Sequence, residues 1–240
     1  NAWCARSFPN IRFYLNPFRV LEYEALVRRL PPASEGSRTL DLGCGQGLQT
    51  CCLAADGGEV VGLDPDGEAV QFAIKRAARL NGRSFVSFST GTLESAGLRE
   101  QSFDRVVSFS VLEHIPDVER VLLACHGIMK PGGWLMCSLD SRLIGDDPVL
   151  GPLHRQAHAV SRYFDAAELP PLLESAGFHG VEVRSLFRSQ TARKLFHAGL
   201  HRGFKYGFLE TQSLAVLLRI AEVMTPKSRP GLFLLVKAQA

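Results

Sequence analysis

The stretch from residue 38 to residue 47 constrains the fold more than any other part of this 240-residue chain. An apolar, strand-like run at 38–42 (RTLDL) passes directly into a turn at 43–47 (GCGQG) that holds three glycines. Glycine accommodates positive φ angles and lets a ligand approach the backbone, because it has no Cβ. A strand that ends in such a turn is typical of the carboxyl edge of a parallel sheet, where ligands bind. We therefore expect an α/β fold with a nucleotide-type binding site after the first strand.

Strand-like and helix-like segments alternate beyond this turn. Apolar runs of strand length occur at 59–63, 84–89, 103–109 and 133–139. Segments with helical spacing lie between them, at 48–55, 67–80 and 118–129. Two more strands are predicted at 181–186 and 231–237, and two more helices at 16–30 and 166–176, with a breaker-rich loop at 145–152. Strands separated by helices of this length indicate βαβ units. The predicted fold is a doubly wound, mostly parallel seven-stranded sheet, with an N-terminal helix and a helical insertion before the last strand.

The composition agrees with one packed domain. Hydrophobic residues make up 46% of the chain, and 27 basic against 24 acidic residues leave a formal net charge of +3, which predicts no nucleic-acid partner. The six cysteines show no C-x-x-C spacing, so we expect reduced, structural cysteines and no metal site. No apolar run approaches the ~20 residues that span a bilayer. We expect a cytoplasmic protein and leave peripheral membrane association open.

The spacing of the glycines separates two families of nucleotide-binding proteins. A dinucleotide fingerprint is G-x-G-x-x-G, but here the third glycine comes one residue early, at Gly47, which disfavours a pyrophosphate clamp. The run 40–47 (LDLGCGQG) instead resembles motif I of the class I S-adenosylmethionine-dependent methyltransferases, a strand that ends in D/E-x-G-x-G-x-G. The resemblance covers residues 38–139 well and 163–178 moderately, and it points to the small-molecule branch of that family. It implies a Rossmann-like methyltransferase fold, S-adenosylmethionine as cofactor and S-adenosylhomocysteine as product.

The resemblance also implies which residues hold the cofactor. The loop backbone would pack on the methionine part of the donor, and Asp41 would hold its amino group directly or through water. Asp64 follows an apolar strand, at the place of a carboxylate that accepts both ribose hydroxyls. Where the family often has Gly-Asp-Ala-Glu, this chain has GTLE at 91–94, so we expect the adenine contact from Thr92 or from the backbone of Leu93. The predicted cofactor-binding residues are Asp41, Gly43, Cys44, Gly45, Gln46, Gly47, Asp64, Pro65, Thr92, Leu93, Ser110 and Val111.

Glu113 and His114 are the predicted catalytic residues, because they follow the fourth strand near the methyl end of the donor. Methyl transfer from a sulfonium is an in-line displacement that mainly needs alignment of donor and acceptor. A base is needed only when the acceptor is a hydroxyl or a protonated amine, and His114 is the first candidate. In the alternative interpretation, both side chains only orient the loop or touch the cofactor.

A second pair of ionisable residues follows the predicted fifth strand. His154 and His158 are four residues apart, so a helix would place both imidazoles on one face. A metal site lacks an obvious third ligand. A lid over the substrate and an ordinary polar surface remain as alternatives, and the family usually builds acceptor specificity near Tyr163 and Phe164.

The segment before the last strand is far longer than a hairpin needs, at roughly forty residues. Residues 186–209 include five Lys or Arg residues and no Asp or Glu, with aromatic residues between them. A basic, aromatic helical segment suits an anionic membrane surface, in particular through 187–209, or a lid over an apolar acceptor. An oligomer interface, such as that of a homodimer, is the alternative.

These features predict methyl transfer to a small-molecule acceptor, with an oxygen nucleophile on an aromatic, quinone, sugar or lipid-like compound. The alternatives are a nicotinamide-dependent oxidoreductase and a non-catalytic partner subunit that binds S-adenosylmethionine. We expect one methyltransferase domain over 1–240. Its predicted parts are an N-terminal helical cap (1–37), the cofactor-binding core (38–140), an acceptor-side region (141–186), a helical insertion (187–229) and the last strand (230–240).

Overall fold

Seven strands form one sheet, in the order β3-β2-β1-β4-β5-β7-β6. The structure is a computed structural model and describes residues 16–54, 57–79 and 85–240. The strands are β1 Arg38–Leu42, β2 Glu59–Asp64, β3 Phe85–Thr90, β4 Phe103–Phe109, β5 Met129–Asp140, β6 His179–Leu186 and β7 Phe233–Gln239. Only β7 runs antiparallel to its neighbours, β5 and β6. The prediction of a doubly wound, mostly parallel seven-stranded sheet is confirmed.

Helices cover both faces of this sheet. They are α1 Pro17–Val27, α2 Leu48–Ala54, α3 Gly67–Ala78, α4 Val118–Ile128, α5 Arg142–Gly145, α6 Leu150–His158, α7 Leu169–Ser175, α8 Gln190–His201 and α9 Phe208–Met224. Local signals fix several of their first turns, because a side-chain oxygen there satisfies a free backbone N–H. Asn16 accepts from Phe18 at the start of α1, and Asp66 accepts from the first-turn N–H groups of α3.

The core has two sides, because alternate residues of a strand point to opposite faces. On one side Leu40 and Val106 pack with α4 and α7. On the other, Val107 packs with α1 and α2, and the insertion helices α8 and α9 join α1 in an apolar cluster around Phe18 and Phe196. The predicted insertion therefore covers the sheet next to α1.

One predicted loop is wrong. Residues 145–152 contain the end of α5 and the start of α6, and only the turn between them is irregular. The oxygen of Ser141 accepts from the N–H of Leu143 and so caps α5, while Asp147 accepts from the N–H of Leu150 at the start of α6. These caps allow two helices to form beside glycine and proline, which are tolerated near helix ends.

Several element boundaries also differ from the predictions. The fifth strand begins at Met129 rather than 133, because Met129 pairs with Phe103 ahead of a register shift, and α4 ends one residue earlier. The predicted ends at residues 55, 80 and 84 lie outside the described residues. Helix α7 begins at Leu169 rather than 166 and has two prolines in its first turn, where proline is tolerated.

Three other properties bear on the earlier expectations. Among the described residues, no helix combines the length and the apolar composition that crossing a membrane requires. The same residues contain no group of three or more His, Cys, Asp or Glu side chains arranged to hold a metal ion. The five cysteines in the described ranges are all buried and free of disulfides.

Candidate functional site

The glycine turn after β1 is packed tightly against its neighbours, except at one position. A Cβ on Gly43 would overlap the side chain of Val111, and one on Gly47 would lie 2.8 Å from the ring of Phe88. Gly45 differs, since a Cβ there would meet no atom within 4 Å, although its φ angle is +49°. Two of the glycines are therefore required by internal packing, while Gly45 borders open space.

Asp64 is held in place at the end of β2, beside this turn. One of its carboxylate oxygens accepts a hydrogen bond from the N–H of Gly45 at 2.8 Å, and the other accepts from the N–H of Asp66 at 2.9 Å. A carboxylate oxygen has two lone pairs, so each can still accept a hydrogen bond from a ligand. The turn and the carboxylate together offer an oriented acceptor for a pair of hydroxyls.

A cavity of about 600 Å³ lies at this carboxyl edge, and we call it the first cavity. Its volume is typical of small-molecule sites. The structure brings seven of the predicted site residues together in its wall: Gly43, Asp64, Pro65, Thr92, Leu93, Val111 and His114. The wall is completed by residues that the sequence analysis did not single out, including Ile115, Pro116, Asp117 and Arg120.

The other predicted cofactor-binding residues do not line the first cavity. Asp41 is fully buried, and its carboxylate accepts a hydrogen bond from the hydroxyl of Thr50 at 2.7 Å. This burial raises the pKa of Asp41 to about 7. Ser110 donates its hydroxyl to Glu22 at 2.6 Å. The remaining four lie in the turn itself, with Gln46 exposed, Gly45 half-buried, and both Cys44 and Gly47 buried.

A second cavity, of about 310 Å³, adjoins the first. His114 lines both, whereas Glu113 lines only the second. The polar residues in the wall of the second cavity are Asn16, Arg19, Glu113, His114, Asp140, His154 and His158. Aromatic residues of the body and of the insertion, Phe18, Phe196, Phe204 and Phe233, complete it. Of the two predicted catalytic residues, His114 therefore lies at the boundary between the two cavities and Glu113 lies in the second.

The second cavity holds a buried pair of carboxyl groups. Glu113 is fully buried, and neither of its carboxyl oxygens meets an N–H or hydroxyl donor of the described residues. Burial, and then the neighbouring Asp140, raises the pKa of Glu113 well above its usual range, and burial raises the pKa of Asp140 to about 7. The two carboxyls can hydrogen-bond to each other only when one of them is protonated.

The histidines of α6 face this carboxyl pair. Nε2 of His154 lies 3.6 Å from Asp140, and the rings of His154 and His158 are 4.7 Å apart, on one face of the helix as predicted. Burial, and then the charge of His158, lowers the pKa of His154 to about 3, so it is neutral at ordinary pH. The one cation in the described wall, Arg19, contacts Glu22 at 2.7 Å. The positive charge of Arg19 therefore acts on Glu22 as well as on the carboxyl pair.

Sequence reasoning missed Arg19 and Asp140. Arg19 comes from α1, which no pattern linked to the site. Asp140 ends β5 at the same sheet edge as Asp64, and the rule that ligands bind at this edge was a usable signal for it.

Comparison with known proteins gives consistent results. Residues 40–137 match the family of methyltransferase domains. The ubiquinone biosynthesis O-methyltransferases of Hahella chejuensis and Xanthomonas axonopodis pv. citri are each 33% identical to this chain. The first alignment covers 77% of this chain and 78% of that protein, and the second covers 78% and 79%.

Solved structures share the fold. Phosphoethanolamine N-methyltransferase 2 of Haemonchus contortus, in complex with S-adenosyl-L-methionine, matches 91% of this chain with a TM-score of 0.67 and 19% identity, and this chain spans 52% of it. An S-adenosylmethionine-dependent methyltransferase from Mesorhizobium loti matches 91% of this chain and 97% of its own length, with a TM-score of 0.64 and 22% identity. The alternative of a nicotinamide-dependent oxidoreductase finds no support in these matches, and the chain belongs to the class I S-adenosylmethionine-dependent methyltransferases.

Proposed function

We propose that this methyltransferase transfers its methyl group to a hydroxyl oxygen of a small molecule bound in the second cavity. The observation that carries the proposal is the position of His114, which lines both cavities. An acceptor atom beside His114 would face a donor in the first cavity, and methyl transfer depends mainly on such a close, aligned approach. The curated relatives are O-methyltransferases by name, which supports an oxygen acceptor. An aromatic, quinone, sugar or lipid-like compound would carry that oxygen.

The first cavity fits S-adenosylmethionine. The open space at Gly45 leaves room for a ligand against the turn, and the fixed carboxylate of Asp64 keeps lone pairs for two ribose hydroxyls. We assign the methionine part to the backbone of Gly43 and Gly45, the ribose to Asp64, and the adenine to Thr92 and Leu93. When bound, the cofactor supplies a methyl group that its positive sulfur already activates.

The second cavity supports the removal of a proton from the acceptor. A hydroxyl that gains a methyl group loses its proton, and a positioned side chain takes up that proton in catalysis of this kind. We assign this role to His114, because it stands at the boundary where the acceptor oxygen must lie. Glu113 and Asp140 would bind the acceptor, because a carboxyl pair that shares one proton can both donate and accept a hydrogen bond.

Methyl transfer by three variants tests these roles. Labelled S-adenosylmethionine is offered with phenols, catechols, sugars and simple amines, and the methylated atom is identified by mass spectrometry and NMR. His114→Asn should lower kcat by about 10²- to 10⁴-fold, the usual contribution of acid–base catalysis, and should change the Kd for S-adenosylhomocysteine far less than it changes kcat. Glu113→Gln should mainly raise KM for the acceptor. His179→Asn, at an exposed histidine of β6, is the matched control and should resemble the wild type.

The pH dependence gives a second test. Because burial raises the pKa of Asp140 to about 7, the carboxyl pair changes its number of protons near that pH. The acceptor KM of the wild type should change around pH 7, and that of Glu113→Gln should change less. A label found only on amine nitrogen, or a wild-type kcat in His114→Asn, would contradict the proposal.

A further inference from the structure

Helix α9 presents an apolar surface to the outside of the protein. Its buried face packs on the body through Ala215 and Leu218, which are fully buried. Its outer face is apolar as well, with exposed fractions of 78% at Leu209, 87% at Val223 and 79% at Met224. Phe208, Val216, Leu217 and Ile220 are also exposed. The apolar face of a helix is normally covered, and exposed apolar patches usually mark interaction sites.

No charged residue interrupts this outer face. The exposed positions of α9 that are not apolar are Gln212 and Ser213. All of the charged residues of α9 are neutralised within the protein. Glu210 pairs with Arg202, Arg219 with Glu24, and Glu222 with Arg188. Arg219 and Glu222 thus point toward the protein, while Glu210 lies at the edge of the outer face in an exposed pair with Arg202. The outer face itself carries no charge.

Cations flank the apolar face at both ends. Lys205 precedes α9, and Lys227 and Arg229 follow it, and all three are exposed. Within the described ranges, these three residues form no ion pair with an acidic side chain. The helix between them is about 25 Å long. An uncharged apolar face with basic residues at its ends is the pattern of a helix that lies in the interface of an anionic bilayer.

We propose that α9 docks this protein onto an anionic lipid bilayer. Its apolar face would enter the boundary between headgroups and acyl chains, and Lys205, Lys227 and Arg229 would contact the headgroups. The same charges argue against a second copy of the chain as the occupant. A two-fold contact through this face would place two α9 helices side by side. Because both ends of the helix are basic, either relative direction brings cations against cations.

The docking surface is continuous with the wall of the second cavity. Gly203 and Phe204, which line that cavity, immediately precede the flanking Lys205. A bilayer against α9 would therefore lie close to the cavity in which we place the acceptor. The docking proposal stands on the surface of α9 alone and does not require the proposed acceptor chemistry.

Vesicle flotation of the full chain tests the proposal. The protein is mixed with phosphatidylcholine vesicles that contain or lack phosphatidylglycerol, at low and high salt. We expect flotation with the anionic vesicles, weaker flotation at high salt, and little with phosphatidylcholine alone. Lys205→Gln and Lys227→Gln should each weaken partitioning about fivefold, the usual effect of one basic residue near an anionic surface.

A matched pair of substitutions separates the face from general hydrophobicity. Ile220→Glu, at 53% exposure on α9, should weaken partitioning by about tenfold or more, because it removes an apolar contact and places an acid at the headgroups. Leu123→Glu, at 57% exposure on α4, is the control and should float like the wild type. Circular dichroism and Tm verify that both variants fold.

Equal flotation of Ile220→Glu and Leu123→Glu would overturn the proposal, and so would a wild type that does not float with anionic vesicles. If the wild type does not float and forms a dimer in light scattering that Ile220→Glu dissociates, the face is assigned to a second copy of the chain. Loss of flotation in Ile220→Glu with methyl transfer to soluble acceptors intact would support docking independently of the catalytic assignment.

Discussion

Replacement of Gly45 by alanine tests the assignment of the cofactor turn most directly. In the protein alone, a Cβ at this position would meet no atom within 4 Å. The only cost to folding is the left-handed backbone, with φ at +49°, for which a non-glycine residue loses about 1 kcal/mol. The methyl group would nevertheless project into the space that we assign to the methionine part of the cofactor.

The expected loss of binding follows from the contacts that the methyl group displaces. A ligand pushed away by one methyl group gives up roughly ten close contacts of about 0.1–0.2 kcal/mol each. The loss of about 1–2 kcal/mol corresponds to a rise of roughly five- to thirtyfold in the Kd for S-adenosylhomocysteine. Gly45→Ala should therefore damage binding more than stability.

Gly180→Ala provides the matched control. Gly180 has φ at +60°, a Cβ there also meets no atom within 4 Å, and the residue lies on β6, away from the first cavity. Both variants should lose about 1 kcal/mol of unfolding free energy in urea titrations. Only Gly45→Ala should bind S-adenosylhomocysteine more weakly by isothermal titration calorimetry. Equal Kd values for the two variants would refute the placement of the cofactor against this turn.

Two further predictions concern stability. Asp41 should make the free energy of unfolding fall as the pH rises from about 4 to 7. Its pKa is about 7 in the folded protein, which is above the ordinary value. Between these pH values the folded protein therefore binds a proton that the unfolded chain has released. Asp41→Asn should make this fall smaller in urea titrations at a series of pH values, and an unchanged profile would count against it. Arg188→Met should lower the free energy of unfolding by about 2–4 kcal/mol in the same measurement. The substitution removes the guanidinium that contacts the nearly buried carboxylate of Glu222 at 3.2 Å. Arg202→Met breaks only the exposed pair with Glu210 and should cost far less, so equal losses would contradict this account of how α9 is anchored.

Local patterns predicted the strands well because the signal for a strand is local. The run at 38–42 became β1 with unchanged bounds, and the run at 103–109 became β4 in the same way. A buried strand is recognised from a short apolar run between turn residues. The predicted loop at 145–152 is wrong because its glycines and prolines lie near the ends of α5 and α6, where these residues do not break a helix.

More of the first cavity than of the second could be predicted from the sequence. The first cavity is built from loops that follow β1, β2, β3 and β4, and these parallel strands all end at the same edge of the sheet, where ligands bind. Ser110 lies in one of these loops but turns toward Glu22, since its backbone adopts a φ of +51° that no sequence pattern indicated.

The sheet, the glycine turn and the carboxylate beside it could be predicted from local patterns, because each depends on neighbours in the chain. The second cavity and the outward apolar face of α9 depend instead on how distant segments pack together. The wall of the second cavity brings together residues from α1, β5, α6 and the insertion, which are distant in the chain. Examples are Arg19, Asp140, His154 and Phe204. Burial is likewise a property of the packed molecule, so the raised pKa of Asp140 and the exposure of Val223 had no counterpart in the sequence.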